Sequence, residues 1–314
     1  MMATIRFDRD IFDAARQEFL SHLRYAKGHR KTTCYAYNAD LGLWANGLQE
    51  AGKDWQRARA ADVEQFNAWQ LRERKAIVAI VTRRLSTLSS FYRWALRHEI
   101  VEGDPVYLAD KPKRPQRIPV WLEKEEQTRL EATLKSRENI PLNIFGENRT
   151  KMTETRRRYE LLFGLLLNSG LRISEALGLK TSDVRLVEGM AKSVRVIGKG
   201  DKERLVPLPD AFGTVFGFWL KDQPRGEFVF ARAPGQRPVS SQAVRVYLRG
   251  MLQRAGIEKK ISSHKLRHTY ATNLLNAGAE LVDIKALLGH STLNTTQIYA
   301  HVSQERMEKV VGRL

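Results

Sequence analysis

Apolar residues between positions 11 and 103 recur at the spacing of an α-helix, and they form four separate stripes. Residues three or four apart lie on one face of a helix, so each stripe predicts a helix that buries that face in a common core. The predicted core positions are Ile11, Phe12, Ala15, Phe19 and Leu23 in the first stripe, Tyr35, Leu41, Trp44 and Leu48 in the second, Val63, Phe66 and Trp69 in the third, and Leu85, Leu88, Phe91, Tyr92 and Leu96 in the fourth. Four short helices of this kind predict a compact helical domain over residues 1–109.

The second half of the chain is also predicted to be mainly helical. An amphipathic helix with an acidic face is predicted from Leu122 to Leu134, and a continuous apolar helix from Leu161 to Leu167. A run of short helices begins near residue 261, with serines at its start as N-caps. Gly278 and Gly289 stand where such helices end in a left-handed residue.

Only one region carries a convincing pattern of β-strands. Val194 and Val196 lie in one strand and Arg204 to Val206 in the next, and residues 198–203 (Gly-Lys-Gly-Asp-Lys-Glu) join them. Glycines on both sides of Lys199 favour a tight, exposed hairpin with the lysine at its tip. The predicted fold class is therefore mainly α, with a small β-hairpin in the C-terminal domain.

The charge of the chain indicates the kind of partner it binds. The 314 residues carry a formal net charge of +18, and 36 of the 53 Lys and Arg residues follow residue 110, against 21 of the 35 acidic residues. A field of this sign and size indicates a polyanionic partner such as a nucleic acid. Charge alone leaves open another kind of basic protein, such as a ribosome-associated factor.

Two segments interrupt the helical pattern. Residues 110–119 hold three prolines and four cations without apolar periodicity, which predicts an extended basic linker between domains at 1–109 and 120–314; a surface loop is the alternative. Residues 135–158 are predicted to form a solvated loop, and contact with nucleic acid or with a neighbouring subunit is the alternative.

Cysteine content and hydropathy exclude several classes of protein. Cys34 is the only cysteine, so one chain can form neither a disulfide framework nor a cysteine-based zinc site, and we predict that Cys34 is a core residue. No apolar run approaches the roughly 18 residues of a membrane span, and the N-terminus lacks the apolar core of a signal peptide. We therefore expect a soluble, cytoplasmic protein without a membrane partner.

The candidate chemistry is concentrated in the run of short helices. His264, Arg267 and His268 are spaced to share one helix face, and His290 and Tyr299 follow after two turns of chain. A phenol with a reference pKa of about 10 is a poor nucleophile alone. Beside a base, and next to a guanidinium that stabilises charge on phosphate oxygens, it can attack phosphorus. These residue types therefore favour chemistry on a phosphodiester.

A second arginine upstream supports this interpretation. Arg172 follows the apolar helix in the sequence Gly-Leu-Arg-Ile-Ser-Glu and opens another short helical pattern. Its planar guanidinium can bind two phosphate oxygens at once. The alternative is a helix-start arginine that only pairs with Glu175.

In chain order, Arg172, the His264-Lys265-Leu266-Arg267 motif, Gly289-His290 and Tyr299 resemble the signature of the tyrosine site-specific recombinases. The likeness is closest to the small two-domain Xer-type members, and it covers nearly the whole chain. It implies an N-terminal SAM-like helical domain that clamps DNA and a C-terminal tyrosine-recombinase catalytic domain. No additional arm-binding domain is expected before residue 11, unlike in the larger phage integrases.

The resemblance also implies a role for each motif residue. Tyr299 forms a 3′-phosphotyrosyl link, Lys199 protonates the leaving 5′ oxygen, with Lys202 as the competing candidate, and His264 is an acid/base partner. The implied catalytic residues are Arg172, Lys199, His264, Arg267, His290 and Tyr299, with Glu175 and His268 in supporting positions. Neither a metal ion nor any other cofactor is implied.

The partners implied are double-stranded DNA with paired inverted half-sites and further copies of the chain. A C-terminal helix over residues 303–314 would join two copies on one site and four in synapsis, where strands pass through a Holliday junction. Accessory or directionality proteins and association with the nucleoid also fit the resemblance. The alternatives are a DNA-relaxing enzyme like the type IB topoisomerases and a non-catalytic DNA-binding protein that retains the fold.

Overall fold

The computed structural model describes residues 7–113, 120–136, 149–198, 203–221, 223 and 227–289, and for residues 149–153 the backbone alone. The chain divides into two compact units, Met1–Gln116 and Arg117–Leu314. This division falls inside the predicted linker, of which residues 114–119 lie outside the described residues. The predicted fold class is confirmed, because helices dominate both units and one small sheet lies in the second. None of the helices in the described ranges is long and apolar enough to span a bilayer.

The first unit is built from helices. Asp8 caps the first by accepting hydrogen bonds from the backbone N–H groups of Asp10 and Ile11, and a π-helical turn at His22–Ala26 follows that helix. The helices are α1 (Arg9–Ser21), α2 (Lys31–Glu50), α3 (Ala60–Arg72), α4 (Val78–Arg97) and the short α5 (Pro105–Leu108). The first four correspond to the four apolar stripes.

Aromatic side chains fill the core of the first unit. Phe12 meets Trp55 edge to face, with 5.4 Å between ring centroids. Trp44 Nε1 donates to the Tyr92 hydroxyl at 3.0 Å, and that hydroxyl donates to the carbonyl of Trp55 at 2.9 Å. Burial raises the pKa of Tyr92, so the hydroxyl stays protonated and can make both bonds. Trp55 lies outside every predicted stripe because it belongs to the loop between α2 and α3.

Three predicted core positions of the first unit are wrong. Ile11, Tyr35 and Leu96 expose 50%, 71% and 41% of their surface. Ile11 and Leu96 stand directly beside fully buried residues, Phe12 and Ala95, so they lie at the edge of an apolar face that is covered. Tyr35 stands six residues before Leu41, about 120° away around the helix. Cys34, also predicted to be a core residue, is only partly buried against the same core.

One buried carboxylate ties α2 to α4. Asp40 accepts hydrogen bonds from Arg83 Nη1 at 2.5 Å and Nη2 at 2.7 Å, and from Thr87 Oγ1 at 2.9 Å. Arg84 Nε lies 3.6 Å from the same carboxylate. A buried charge is tolerated when it is paired and hydrogen-bonded, so this network fixes the two helices against each other.

The second unit carries the other helices and the sheet. They are α6 (Lys124–Lys135), α7 (Arg149–Ser169), α8 (Ile173–Gly178), α9 (Asp210–Leu220), α10 (Ser241–Arg254), α11 (Ser263–Asn276) and α12 (Leu281–Leu288). The strands are β1 (Val184–Val187), β2 (Met190–Ile197) and β3 (Glu203–Pro207), antiparallel in the order β1-β2-β3. The pairing of β2 with β3 agrees with the predicted strands. The sequence pattern misses β1, because only the first of its four residues is buried and no alternation results.

The segment at residues 135–158 is not a loop over its whole length, contrary to the prediction. Helix α7 begins at Arg149, so residues 149–158 are helical and lead directly into the apolar run that starts at Leu161. No proline or glycine stands between residues 147 and 160 to interrupt the helix. Residues 137–148 lie outside the described residues.

Helix α9 packs against the sheet at the level of the backbone. A Cβ added to Gly213 would overlap the carbonyl oxygen of Ala191, and one added to Gly217 would overlap that of Gly189. These two glycines stand one helical turn apart on α9 and therefore face the sheet together. Their missing side chains allow a contact that any other residue would prevent.

Gly170 allows a second close approach, at the junction between α7 and α8. Its φ of 61° is left-handed, and a Cβ would overlap the ring of Tyr270 and lie 2.8 Å from Leu288 Cδ2. Tyr270 belongs to α11 and Leu288 to α12, so both helices pack directly on the backbone at this junction.

We expect Gly170→Ala to destabilise the fold more than Gly256→Ala. Gly256 has nearly the same φ, 64°, but a Cβ there meets nothing within 4 Å. The control should therefore lose about 1–2 kcal/mol of stability, from backbone strain alone. Gly170→Ala adds overpacking, about 1–3 kcal/mol more. Urea unfolding of both variants measures the difference, and equal losses would contradict the steric argument.

Candidate active site

Arg172 stands at the start of α8, where Glu175 orients it. The backbone N–H of Arg172 donates to Glu175 Oε2 at 2.9 Å, and its Nη1 donates to Oε1 at 2.9 Å. The carboxylate thus caps the helix and holds the side chain at the same time. Arg172 keeps 39% of its side chain exposed, so an anion can still approach the guanidinium. The pairing considered as an alternative for Arg172 is present, and it leaves phosphate binding possible.

Arg204 joins the same carboxylate from β3. Its Nη1 and Nη2 donate to Glu175 Oε1 at 3.2 Å and Oε2 at 2.9 Å, and its Nε donates to the carbonyl of Leu287 at 3.1 Å. Burial alone would raise the pKa of Glu175, but hydrogen bonds from Arg204 and Arg172 lower it below its ordinary value. Glu175 is therefore ionised at neutral pH.

Sequence reasoning did not identify Arg204 as a site residue, although the strand period contains the signal. Arg204 and Val206 are two residues apart and point to the same face of β3, and Val206 is buried. Arg204 also pairs across the sheet with Val196, another buried residue. An arginine on the buried face of a strand needs an anionic partner, which here is Glu175.

Arg267 lies beneath the site on α11, and its guanidinium is buried. Nη1 donates to the carbonyl of Gly170 at 2.7 Å, and Nη2 donates to the carbonyl of Leu288. Ser262 caps α11 by accepting from the backbone N–H of Lys265, as the sequence predicts. Arg267 thus connects the α7–α8 junction to the end of α12, and its charge acts from below the surface.

His264 and His268 lie together on α11. Their rings meet edge to face, with 4.9 Å between centroids. Partial burial, and then the charges of Arg267 and Arg172, lower the pKa of His264. Burial, followed by the charges of His264 and Arg267, lowers the pKa of His268 to about 4. Both imidazoles are therefore neutral at pH 7, and a neutral imidazole can accept a proton.

Three tyrosines of the second unit are poor candidates for a nucleophile. Tyr159 and Tyr247 stack with 4.0 Å between centroids, and Tyr270 packs on the α7–α8 junction; all three are buried. Burial raises the pKa of each, to about 12 for Tyr247. Such phenols neither reach a large substrate nor ionise readily.

The structure brings together Arg172, Glu175, Arg204, His264, Arg267 and His268. The predicted residues Lys199, Lys202, His290 and Tyr299 lie outside the described residues. Glycine 289, next to His290, is left-handed with a φ of 62° and ends α12 as the sequence predicts. Within the described part of the chain, no three His, Cys, Asp or Glu side chains group so that they could hold a metal ion.

We expect His268 to make the fold less stable in acid. The folded pKa lies below the unfolded value of about 6.5, so the unfolded chain binds more protons as the pH falls from about 6.5 towards 4. His268→Gln should remove that loss, about 1 kcal/mol after allowance for the partial exposure of the ring. Urea unfolding at pH 7 and pH 4.5 measures it, with His29→Gln in the first unit as the control. An unchanged pH dependence in His268→Gln would contradict the assignment.

Both units of the chain match known protein families. The chain matches the phage integrase family over residues 142–306 and the SAM-like N-terminal domain of phage integrases over residues 17–99. Tyrosine recombinase XerD of Ralstonia nicotianae is 36% identical over 306 residues, which cover 93% of this chain and 90% of that protein. Tyrosine recombinase XerC of Halalkalibacterium halodurans is 32% identical over 305 residues, which cover 93% and 94%.

Solved structures share the fold. The XerH site-specific recombinase, in a post-cleavage complex with its palindromic difH substrate, aligns with a TM-score of 0.72 at 20% identity, over 94% of this chain and 84% of that one. A lambda integrase dimer bound to a COC′ core site aligns with a TM-score of 0.67 at 17% identity, over 90% and 96%. These structures share the fold, and the sequence matches to both units show that the chain belongs to the phage integrase family and is a tyrosine recombinase of the Xer type, an enzyme of site-specific DNA recombination.

Proposed function

We propose that this recombinase cleaves one DNA strand at a time with Tyr299 as the nucleophile. The phenol oxygen bonds to phosphorus, the bond from phosphorus to the 5′ oxygen breaks, and a 3′-phosphotyrosyl link and a 5′ hydroxyl result. The energy of the phosphodiester is retained in the new link, so a 5′ hydroxyl of a second strand can reverse the step. Two such exchanges pass through a Holliday junction.

The observation that carries this proposal is the placement of two guanidinium groups, those of Arg172 and Arg267, at the α7–α8 junction. Arg172 presents a partly exposed guanidinium that a buried carboxylate orients, and Arg267 adds a fixed charge from below. A pentacovalent phosphorane carries more negative charge than the phosphodiester, so fixed cations stabilise it more than the ground state. In the proposed site His290 donates a further hydrogen bond to the same oxygens.

Proton transfer is assigned to two other residues. His264 is neutral at pH 7 and exposed, so it can accept the phenol proton as Tyr299 attacks. Lys199, in the loop between β2 and β3, protonates the leaving 5′ oxygen, and Lys202 is the competing candidate. Since protein side chains supply every charge and proton, the reaction as proposed needs neither metal ion nor nucleotide.

The substrate proposed is double-stranded DNA with two inverted half-sites. Residues 1–109 would form the DNA-binding domain, residues 110–119 a linker and residues 120–314 the catalytic domain. The net charge of +18 supports a DNA partner. Accessory or directionality proteins and a cytoplasmic, nucleoid-associated location belong to the same proposal. The match to Xer recombinases over both units disfavours the topoisomerase-like and non-catalytic alternatives.

Tyr299→Phe is expected to bind DNA as the wild type does and to form no covalent complex. Loss of the hydroxyl removes the nucleophile and leaves the cationic surface unchanged. A nicked suicide substrate traps the adduct of the wild type, and peptide mapping identifies the modified residue. Tyr247→Phe is the matched control, because it removes a hydroxyl that is buried and makes no hydrogen bond to any of the described residues. A covalent adduct on any other tyrosine would contradict the assignment of Tyr299 as the nucleophile.

We further propose that residues 303–314 form a helix that docks into a neighbouring copy of the chain. Copies joined in this way would form a dimer on one DNA site and a tetramer in synapsis. Met307, Val310, Val311 and Leu314 recur at i, i+3, i+4 and i+7, and Ser303 can cap the helix. Burial of four such side chains in a partner would contribute about 1.5–3 kcal/mol each before ordering costs.

Deletion of residues 303–314 should leave binding to a single half-site largely intact. Cooperative filling of the second half-site should weaken by about tenfold or more, since about 1.4 kcal/mol of lost coupling suffices for that factor. Strand exchange should be abolished. Gel-shift titrations on DNA with one and with two half-sites measure the coupling, and unchanged cooperativity would mean that the helix packs on its own domain.

A further inference from the structure

Arg204 occupies a position that the proposed chemistry does not use. It is only 14% exposed, yet it contacts two other elements: the Glu175 carboxylate on α8 and the carbonyl of Leu287 on α12. A Cβ built at Gly289 would lie 3.2–3.3 Å from its side chain, so the turn before His290 also packs on it. Arg204 itself stands at the second position of β3, just after the loop that carries Lys199.

The two arginines share both oxygens of one carboxylate. Oε1 accepts from Arg172 Nη1 and Arg204 Nη1, and Oε2 accepts from the Arg172 backbone and Arg204 Nη2. Glu175 is 7% exposed, so water contributes little to its solvation. The direction in which Arg172 points is therefore set by a carboxylate that Arg204 holds with two parallel bonds.

The charges of this cluster explain why a second arginine matters. Glu175 and Arg172 alone would form a neutral pair, and the carboxylate would offset part of the attraction between the guanidinium and an approaching phosphate. Arg204 neutralises the carboxylate and leaves the cluster with a net charge of +1. Because Glu175 is buried, these interactions are screened less than they would be in water.

The contact with α12 gives Arg204 a second effect. Arg204 binds the carbonyl of Leu287, and Arg267 binds that of Leu288, so two arginines satisfy successive carbonyls at the end of an eight-residue helix. Cations are favourable at a helix C-terminus, and these carbonyls have no partner within the helix. The chain enters the turn at Gly289 from a position that both side chains fix.

We propose that Arg204 is a positioning residue of the recombination reaction. It neutralises Glu175 so that the charge of Arg172 acts on the scissile phosphate, and it holds the end of α12 that leads to His290. This inference rests on the proposed function, in which Arg172 stabilises the phosphorane. Arg204 touches neither DNA nor the reacting atoms in this role.

The test compares cleavage of two suicide substrates, one with the natural phosphate and one with a methylphosphonate at the scissile position. A methylphosphonate lacks one charged oxygen, so it needs less cationic stabilisation. Single-turnover formation of the covalent complex is measured for the wild type, Arg172→Ala, Arg204→Met and the double variant. Arg195→Met is the matched control: it lies on the neighbouring strand opposite Leu205 and pairs with Asp183 and Glu203 at the surface.

Arg204→Met should cleave the phosphate substrate about 10- to 100-fold more slowly than the wild type. Its rate on the methylphosphonate substrate should fall clearly less. Arg172→Ala should show the same difference between the two substrates. The double variant should cleave little more slowly than Arg172→Ala alone, because both substitutions remove the same stabilisation of the phosphorane. Arg195→Met should cleave both substrates at the rate of the wild type.

Equal slowing of Arg204→Met on both substrates, together with a selective loss for Arg172→Ala, would overturn the positioning role and leave the proposed function standing. Equal slowing of Arg172→Ala on both substrates would instead overturn the function assigned to Arg172. If Arg204→Met does not fold, Arg204→Lys replaces it. Lysine keeps the buried charge but cannot make the two parallel hydrogen bonds. A smaller loss of rate that is again selective for the phosphate substrate supports the proposal. An equal loss of rate on both substrates overturns it.

Discussion

The candidate site depends on one ionised carboxylate, that of Glu175, held between two guanidinium groups. An unpaired carboxylate at this depth would be costly, and two unpaired arginines this close would repel each other. The three side chains are stable only as a set, and they come from the start of α8 and from β3. The direction of Arg172 is thus set by the interaction that joins the start of α8 to β3. Its free energy comes from hydrogen bonds that leave neither oxygen of Glu175 without a donor.

The cations of the site also set the protonation of its histidines. Arg267 is buried and keeps its charge at any physiological pH. His264 lies one helical turn from it on α11, and its pKa falls partly because of that charge. A site built to attract phosphate therefore provides a neutral base, since the field that favours the anion disfavours the imidazolium. No acidic residue next to His264 is required to tune it.

The sequence predicts the helices and the hairpin strands well because their apolar periods are strong and local. It fails at positions on the edge of a stripe, such as Ile11 and Tyr35, where the period does not decide whether neighbouring side chains cover the residue. For the site, adjacency in sequence was enough to raise the pairing of Arg172 with Glu175 as an alternative, and the structure contains that pairing. Arg204 lies 29 residues from Glu175. The strand period places it on the face of buried Val206, but nothing local in the sequence shows that Glu175 is its partner.

The two glycines of α9 fix the distance between that helix and the sheet. Gly213 and Gly217 let the helix rest on the backbone carbonyls of Ala191 and Gly189, so the spacing of helix and sheet is set by main-chain atoms. Side chains between two elements can change rotamer and absorb a displacement, whereas two backbones in contact cannot approach further. The distance between α9 and the sheet is therefore fixed. Arg204 extends from β3, which pairs with β2. The contact between α9 and the sheet therefore also fixes where Arg204 meets Glu175.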